Sequence, residues 1–147
     1  MEPTLHHGQY LMVNKLALRL GAPRRGDIVV FRSPQDAKRA LIKRVIGLPG
    51  EEVSIRDGLV HINGQPLAEP YIAPDRSSGN WGPIMLGKGQ YVMLGDNRNN
   101  SNDSRGFGPV SDSQFIGKAW FSLWPPSYGM VLPHGSSQAT GALLAAP

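Results

Sequence analysis

The chain has 147 residues, no cysteine and a formal net charge of +4 at pH 7. Its length suits one domain with a single core, and the lack of cysteine excludes disulfides, thiol catalysis and thiolate metal sites without fixing the compartment. The 18 glycines and 13 prolines favour a turn-rich β protein, and the sequence as given predicts a soluble chain because no window approaches the ~18–20 apolar residues of a spanning helix and no signal peptide opens it.

The first third of the chain predicts short strands separated by turns. Strands are expected at 8–16, at 28–31 and in the apolar run that starts at residue 40. Residues 20–27 form a turn-rich connection, and 33–40 form a loop or a single helical turn. The glycines and proline of 47–52 then break the chain and start a meander.

The remainder predicts hairpins, an irregular region and two further strands. Asp57-Gly58 and Asn63-Gly64 stand between short alternating runs and are strong hairpin signals. The composition predicts an irregular excursion over about 66–89, a strand at 90–96, and a helical turn at 111–117 capped by Ser111 or Asp112. A last strand at 118–124 ends at two prolines.

These elements predict an all-β fold, either barrel-like or built from two packed antiparallel sheets of short strands with an irregular inserted region. We expect one folded β domain over residues 1–132. The tail 133–147 has small residues and no periodicity, so we expect it to be disordered.

Positive charge is concentrated in residues 15–44, which hold nine of the fifteen lysines and arginines. Such a stretch suits nucleic acid or an anionic membrane surface. Because no interleaved aromatics and no nucleic-acid motif accompany the charge, we favour a solvated face and predict no nucleic-acid partner. Contact with an anionic membrane surface stays open.

The stretch ALIKRVIGLPG (40–50) places two cations, Lys43 and Arg44, inside an apolar run typical of a buried strand. Successive side chains of a strand point to opposite faces, so each cation shares its face with apolar neighbours. A cation in this position usually lays its stem on apolar surface and keeps its head in water. A lysine in a desolvated pocket instead favours the neutral amine, which can act as a base.

The segment GDNRNNSNDSRGFGPV (95–110) is rich in small polar residues and follows an apolar strand. Turn chemistry alone explains such a composition. A calcium loop does not fit, because Arg98 stands where the third ligand belongs and no suitable glycine or late glutamate follows. On extended backbone Ser101, Asp103 and Arg105 share one face, where the serine hydroxyl can orient an amine.

A desolvated lysine and a serine-rich polar loop together suggest Ser/Lys catalysis, in which a neutral lysine takes the serine proton. Histidine is a less convincing base, because the four histidines are an adjacent pair, one in a hairpin and one in the tail: His6, His7, His61 and His134. No metal-ligand spacing is present. We predict neither a metal nor a cofactor.

Four blocks of the sequence resemble the bacterial type I signal peptidases. They are EPTL (2–5), RRGDIVVF (24–31), IKRVIGLPGE (42–51) and GDNRNNSNDSRGFG (95–108). Their order and separations match the family from the first residue to about residue 120. The resemblance implies a β-rich catalytic domain tethered outside the cytoplasmic membrane, which removes signal peptides from secretory preproteins after an A-x-A pattern.

The resemblance assigns roles to matching positions. Lys43 aligns with the general base, buried so that it is neutral near pH 7, whereas Arg44 is expected to extend its head into water. The supporting set comprises Ser101, which orients the lysine, the ion pair of Asp103 and Arg105, and Gly95, Asp96 and Asn97 at the start of their block. The positions that line the family's shallow substrate pockets are Met1, Leu5, Val30, Leu41 and Ile42. The substrate is expected to lie extended along these strands.

The family's nucleophile is the serine immediately before a Met-x-Pro-Thr-Leu stretch, and this sequence begins MEPTL. That serine, a second serine that helps form the oxyanion hole, and the membrane anchor would all precede Met1. We therefore expect the chain as given to be inactive. One explanation of the missing serine is a start site placed at the methionine that follows it in the family. The other is a remnant protein that has no nucleophile. The intact lysine and polar-loop blocks favour the first.

Two other functions are alternatives to this interpretation. A non-catalytic domain that holds signal peptides would need only the substrate pockets. A self-cleaving repressor-type Ser/Lys protease shares the chemistry, but it needs a cleavable arm and usually a DNA-binding domain, and the sequence shows neither. For the full-length protein, the resemblance implies the cell membrane, with the catalytic domain on the extracytoplasmic side.

Overall fold

The computed structural model describes residues 1–5, 8, 10–72 and 79–124. Its elements, in chain order, are β1 (Tyr10–Asn14), α1 (Ala17–Leu20), β2 (Ile28–Arg32), β3 (Ala40–Gly47), β4 (Glu52–Arg56), β5 (Leu59–Ile62), β6 (Gln65–Pro66), β7 (Trp81–Met85), β8 (Gln90–Leu94), α2 (Ser104–Phe107), β9 (Val110–Ser111), a 3₁₀ turn (Asp112–Gln114) and β10 (Phe115–Trp124). The tail 133–147, for which we expected disorder, lies outside the described residues, as do residues 125–132 of the expected domain. Both stay predictions.

The strands form two antiparallel sheets, which confirms the all-β prediction. One sheet has six strands in the order β1-β10-β2-β3-β8-β9, and the other has four in the order β6-β5-β4-β7. A cluster of buried residues joins them, because Ile46 of β3 and Leu94 of β8 pack with Val53 of β4 and Val60 of β5. The two sheets therefore share a core.

The two predicted hairpins are present in the four-stranded sheet. Asp57 and Asn63 have positive φ values of 49° and 51°, and the glycines that follow them are also positive at 75° and 79°. Two successive residues with positive φ are what a two-residue hairpin turn of the primed type requires. These turns set the register of β4 on β5 and of β5 on β6.

The prediction of irregular structure over 66–89 is wrong for residues 81–85. They form β7, which pairs with β4 through Glu52 opposite Met85 and Val53 opposite Ile84. Pro83 lies within this strand, and β7 is the edge of its sheet, where a residue without an N–H is tolerated. The proline and glycine content of this segment predicted a loop, but the segment forms an edge strand of the four-stranded sheet.

Strand β3 lacks an alternating pattern because both of its faces are covered. Val45 packs with Val29 and Phe31 on one face, while Ile46 belongs to the cluster between the sheets. A strand buried on both sides reads as a continuous apolar run. The second half of β3, from Arg44 to Gly47, is buried, whereas Leu41 to Lys43 are half-buried.

Candidate active site

Lys43 lies within β3, opposite Val29 of β2, and it is half-buried. Burial lowers the pKa of Lys43 below the ordinary lysine value; the nearby Arg105 also lowers it, whereas the carboxylates of Asp103 and Asp96 oppose the shift. The largest cause is desolvation, which disfavours the charged form. The site thus favours a neutral amine more than water does.

Ser101 is the hydrogen-bond partner of this lysine. The Nζ atom of Lys43 donates to the Oγ atom of Ser101 over 2.9 Å, and the Ser101 hydroxyl is one of the groups that lower the pKa of Asp103. Gly95 makes this contact possible: a Cβ there would lie 2.7 Å from the Ser101 Cβ and 3.4 Å from the Lys43 Nζ. The glycine after β8 therefore supplies space rather than backbone freedom.

Asp103 and Arg105 form the ion pair that the sequence predicted. The Arg105 Nε and Nη2 atoms each lie 2.9 Å from a different oxygen of Asp103, a bidentate geometry that is among the stronger arrangements. Asp103 is fully buried, and burial by itself would raise its pKa. Hydrogen bonds from Arg105, the Gly95 amide and Ser101, with the Arg105 charge, nevertheless hold the pKa of Asp103 below its ordinary value.

The expectation that Arg44 extends its head into water is wrong. Arg44 is 2% exposed, and its Nε and Nη2 atoms donate to Asp96 over 2.8 and 2.6 Å. The guanidinium also donates to the Gly26 carbonyl over 2.9 Å, and its carbon lies 3.9 Å from the ring centroid of Tyr71. Because partners on several sides replace water, the charge is held inside.

Asp96 and Asn97 have different surroundings. Asp96 is 1% exposed and, besides Arg44, accepts a hydrogen bond from the Thr4 hydroxyl. Thr4 also accepts from Arg44 Nη2 over 3.2 Å, so the N-terminal segment is tied to the buried ion pair. Asn97 instead accepts from the Asn100 amide over 3.1 Å, which shapes the polar loop.

Three residues beside the site were missed by the sequence reasoning. Arg98, Glu69 and Tyr71 form a buried group in which Arg98 Nη1 donates to Glu69 over 3.0 Å and the Tyr71 hydroxyl donates to the same carboxylate over 2.8 Å. Burial and the Glu69 carboxylate raise the pKa of Tyr71. Arg98 stood inside the polar block, but no local pattern pairs it with a glutamate 29 residues away.

The predicted pocket residues divide between two places. Met1 and Ile42 pack against the cluster that contains Leu5, and Val30 stands opposite Ile42 on the neighbouring strand. Leu41 instead packs against the cluster of Val29, Phe31 and Val45, on the other face of the sheet. The structure therefore brings four of the five positions together and leaves Leu41 apart.

One edge of β3 is open next to this cluster. On the side of β2, Ala40 to Arg44 are paired, whereas on the other side the pairing with β8 begins at Arg44. In the described part of the chain, no strand pairs with Ala40 to Lys43 on that second side. Unpaired backbone groups of this kind form a template for an added extended segment.

The chemistry of this arrangement is that of a base. A lysine with a lowered pKa can accept a proton, and Ser101 fixes one of its N–H groups. The Ser101 hydroxyl is thus engaged as the partner of the lysine. Across the described ranges, no cluster of three or more histidines, cysteines or carboxylates could hold a metal ion.

Comparisons with known proteins identify the family of the chain. Residues 1–124 match the family described as signal peptidase, peptidase S26. A probable signal peptidase I-2 of Synechocystis sp. is 42% identical over 146 residues, which are 95% of this chain and 66% of that protein. Signal peptidase I T of Bacillus subtilis is 39% identical over 135 residues, which are 85% of this chain and 69% of that protein.

A solved structure is similar as well. The crystal structure of a signal peptidase I from Enterococcus faecalis V583 is 34% identical and superposes with a TM-score of 0.58, covering 67% of this chain and 97% of that chain. This chain therefore shares the β fold of a signal peptidase I. The chain belongs to the signal peptidase family, peptidase S26. It spans about two thirds of the length of the curated relatives it matches.

Proposed function

We propose that the protein is a signal peptidase I-type serine endopeptidase, which removes signal peptides from exported preproteins after A-x-A sites by means of a Ser/Lys dyad. The observation that carries the proposal is the half-buried Lys43, whose Nζ atom lies 2.9 Å from Ser101 Oγ. A neutral amine in such a setting does the work of the histidine in the commoner triad. Lys43 is the general base in this proposal.

The nucleophile in this proposal is a serine at the position directly before Met1. Its support is the resemblance of the MEPTL stretch to the family's Met-x-Pro-Thr-Leu block. Thr4 of this stretch is tied to Asp96 and Arg44, and Arg44 is the strand neighbour of Lys43. Among the described residues, Ser101 is the only serine that is hydrogen-bonded to Lys43.

The reaction then proceeds through an acyl-enzyme. The serine Oγ attacks the scissile carbonyl carbon while Lys43 Nζ takes its proton, and the lysine returns a proton to the leaving amine as the peptide bond breaks. Water next attacks the ester carbonyl and gives a proton to Lys43; the C–Oγ bond then breaks, Lys43 returns that proton to the serine Oγ, and the acyl group leaves as the carboxylic acid of the released peptide. Ser101, Asp103 and Arg105 hold the lysine in orientation, and Asp96 and Asn97 support the loop that carries them.

The substrate in this proposal is an extended segment added to the open edge of β3 at residues 40 to 43. Backbone hydrogen bonds would give affinity, and alternate side chains would enter pockets. The cluster around Leu5, with Met1, Val30 and Ile42, suits small side chains. Leu41 is retained as a pocket residue in the proposal, although it packs on the other face.

The full-length protein is proposed to lie at the cell membrane with this domain on the extracytoplasmic side. Within the described ranges, none of the helices has the length and apolarity needed to cross a bilayer. The basic stretch 15–44 does not form one uniform face: Lys43 and Arg44 point inward, and Arg25 is paired with Glu51. The remaining exposed cations of the stretch, such as Lys15 and Arg19, are the ones available to anionic lipid.

The test is to extend the chain by one or more residues so that a serine precedes Met1, and to measure cleavage of a peptide with an A-x-A site. We expect cleavage by the extended protein and loss of it in its Lys43→Ala variant. Full activity of the Lys43→Ala variant would show that another group is the base. Tight peptide binding without cleavage would instead favour a non-catalytic signal-peptide-binding domain.

A further inference from the structure

A buried ion pair outside the proposed catalytic set adjoins the lysine site. The side chains of Arg98 and Glu69 are only 5% and 3% exposed, and two hydrogen bonds join them. Removing two charges from water is unfavourable, and well-packed apolar residues often stabilise a fold as well or better. A pair of this kind is therefore most useful where it fixes geometry.

Tyr71 connects this pair to the second buried arginine. Its hydroxyl donates to Glu69 over 2.8 Å, while its ring lies beneath the Arg44 guanidinium at 3.9 Å. A turn closed by the Ile72 amide and the Glu69 carbonyl at 3.3 Å holds the two side chains together. We call residues 69–71 the brace segment. It contacts both buried arginines.

The two arginines hold consecutive residues at the end of β8. Arg98 Nε donates to the Gly95 carbonyl over 3.1 Å, and Arg44 binds the Asp96 carboxylate. The Gly95 amide donates to Asp103 over 3.0 Å. Through Arg98, the brace segment thus helps to hold Gly95 in place, and Gly95 leaves the space in which Ser101 and Lys43 meet.

A second path runs through the backbone of Arg98. Its carbonyl accepts from Arg105 Nη1 over 2.8 Å, and Arg105 in turn holds Asp103. Fixing the Arg98 side chain therefore also fixes the guanidinium that pairs with Asp103. Both paths end at the hydrogen bond between Lys43 and Ser101.

We propose that the brace segment, through Glu69 and Tyr71, positions the Lys43–Ser101 pair and keeps water from it. Glu69, Tyr71 and Arg98 are positioning residues, since they act through Gly95, Asp96 and Arg105. This inference rests on the proposed function only in taking Lys43 as the base. The brace itself is a property of the fold.

The test measures the pKa of Lys43 by NMR titration of its side chain in the present chain, without need of a nucleophile. In Glu69→Gln we expect that pKa to rise by about one pH unit toward the ordinary lysine value, because loosening the brace admits water. The sign is diagnostic. Loss of a negative charge would by itself lower the pKa of a nearby lysine, so only repositioning predicts a rise.

The matched control is Glu51→Gln, which breaks another Glu–Arg pair, that of Arg25 and Glu51. We expect no change in the pKa of Lys43 there. A pKa that is unchanged or lowered in Glu69→Gln overturns the proposal, as does an equal rise in Glu51→Gln.

If Glu69→Gln does not fold, Tyr71→Phe decides the question. It removes only the hydroxyl that binds Glu69 and keeps the ring beneath Arg44. A smaller rise supports the brace, and no rise overturns it. In the serine-extended protein, the Glu69→Gln pH–rate profile should move to higher pH by the same amount. A pKa shift without any peptidase activity in the extended wild type would uphold the brace and reject the proposed function.

Discussion

Lys43 and Arg44 are neighbours on β3, yet their side chains enter separate networks. The amine of Lys43 meets Ser101, behind which stand Asp103 and Arg105. The guanidinium of Arg44 meets Asp96. Both networks include residues of the segment that follows β8, so a single loop contacts both cations.

Ser101→Ala should impair catalysis while leaving the fold intact. In the serine-extended protein, we expect kcat/KM to fall about 100-fold, because the lysine loses the hydroxyl that orients it, and orientation of a base is worth this order of magnitude. Peptide cleavage and thermal unfolding should be measured together. Ser113→Ala, at an exposed serine of the 3₁₀ turn, is the control. An unimpaired Ser101→Ala enzyme would remove Ser101 from the mechanism.

Lys43→Met should stabilise the present chain at neutral pH. Burial lowers the pKa of Lys43 in the fold, while an unfolded lysine titrates near 10.4. Between these two values the unfolded state binds more protons, so wild-type stability rises with pH. Below the folded pKa, the variant should be more stable than the wild type, because it carries no charge that folding must remove from water.

That difference should shrink as the pH rises from the folded pKa toward about 10.4, because the wild-type lysine then becomes neutral in both states. Urea unfolding at several pH values measures it. Lys88→Met, at an exposed lysine, should show no such trend. A Lys43→Met advantage that stays constant up to pH 10 would mean that the amine is not desolvated.

Much of the fold was predictable because local signals and burial agreed. The Asp57-Gly58 and Asn63-Gly64 turns require positive φ, which these residue types tolerate, and the structure has it. The capped turn predicted at 111–117 is present in shorter form at Asp112–Gln114, with Ser111 as the N-cap and Gln114 completing a capping box, while residues 115–117 already belong to β10. In each case a few adjacent residues carry the whole physical cause.

The remainder depended on contacts between distant positions. The local sequence around Arg44 resembles that of a cation that reaches solvent, and its burial is explained by partners distant in the sequence, first of all Asp96, 52 residues away. Glu69 and Tyr71 lie in a segment of turn-like composition that gives no sign of the arginines they meet. For Lys43, the family resemblance assigned a role that its strand pattern left undecided.

Gly95→Ala should disrupt the site through a clash. A Cβ at residue 95 would lie 2.7 Å from the Ser101 Cβ and would overlap its Oγ, and crowding of this kind costs about 1–3 kcal/mol. We expect a lower unfolding free energy and loss of the Lys43–Ser101 contact. Gly21→Ala is the matched control, because nothing lies within 4 Å of a Cβ there and its φ of −176° is open to any residue. Equal effects of the two substitutions would contradict the steric account.

Arg44→Met should be the most destabilising of these changes. It leaves the Asp96 carboxylate, itself 1% exposed, without its bidentate partner, and breaking a buried pair in this way costs about 3–5 kcal/mol. Arg39→Met, at an exposed arginine just before β3, should have little effect on urea unfolding. The double variant Arg44→Met/Asp96→Leu should recover much of the lost stability, because no unpaired charge then remains. If the double variant is as unstable as the sum of the single ones, the two side chains do not act as a pair, and Arg44 is held instead by Tyr71 and the Gly26 carbonyl.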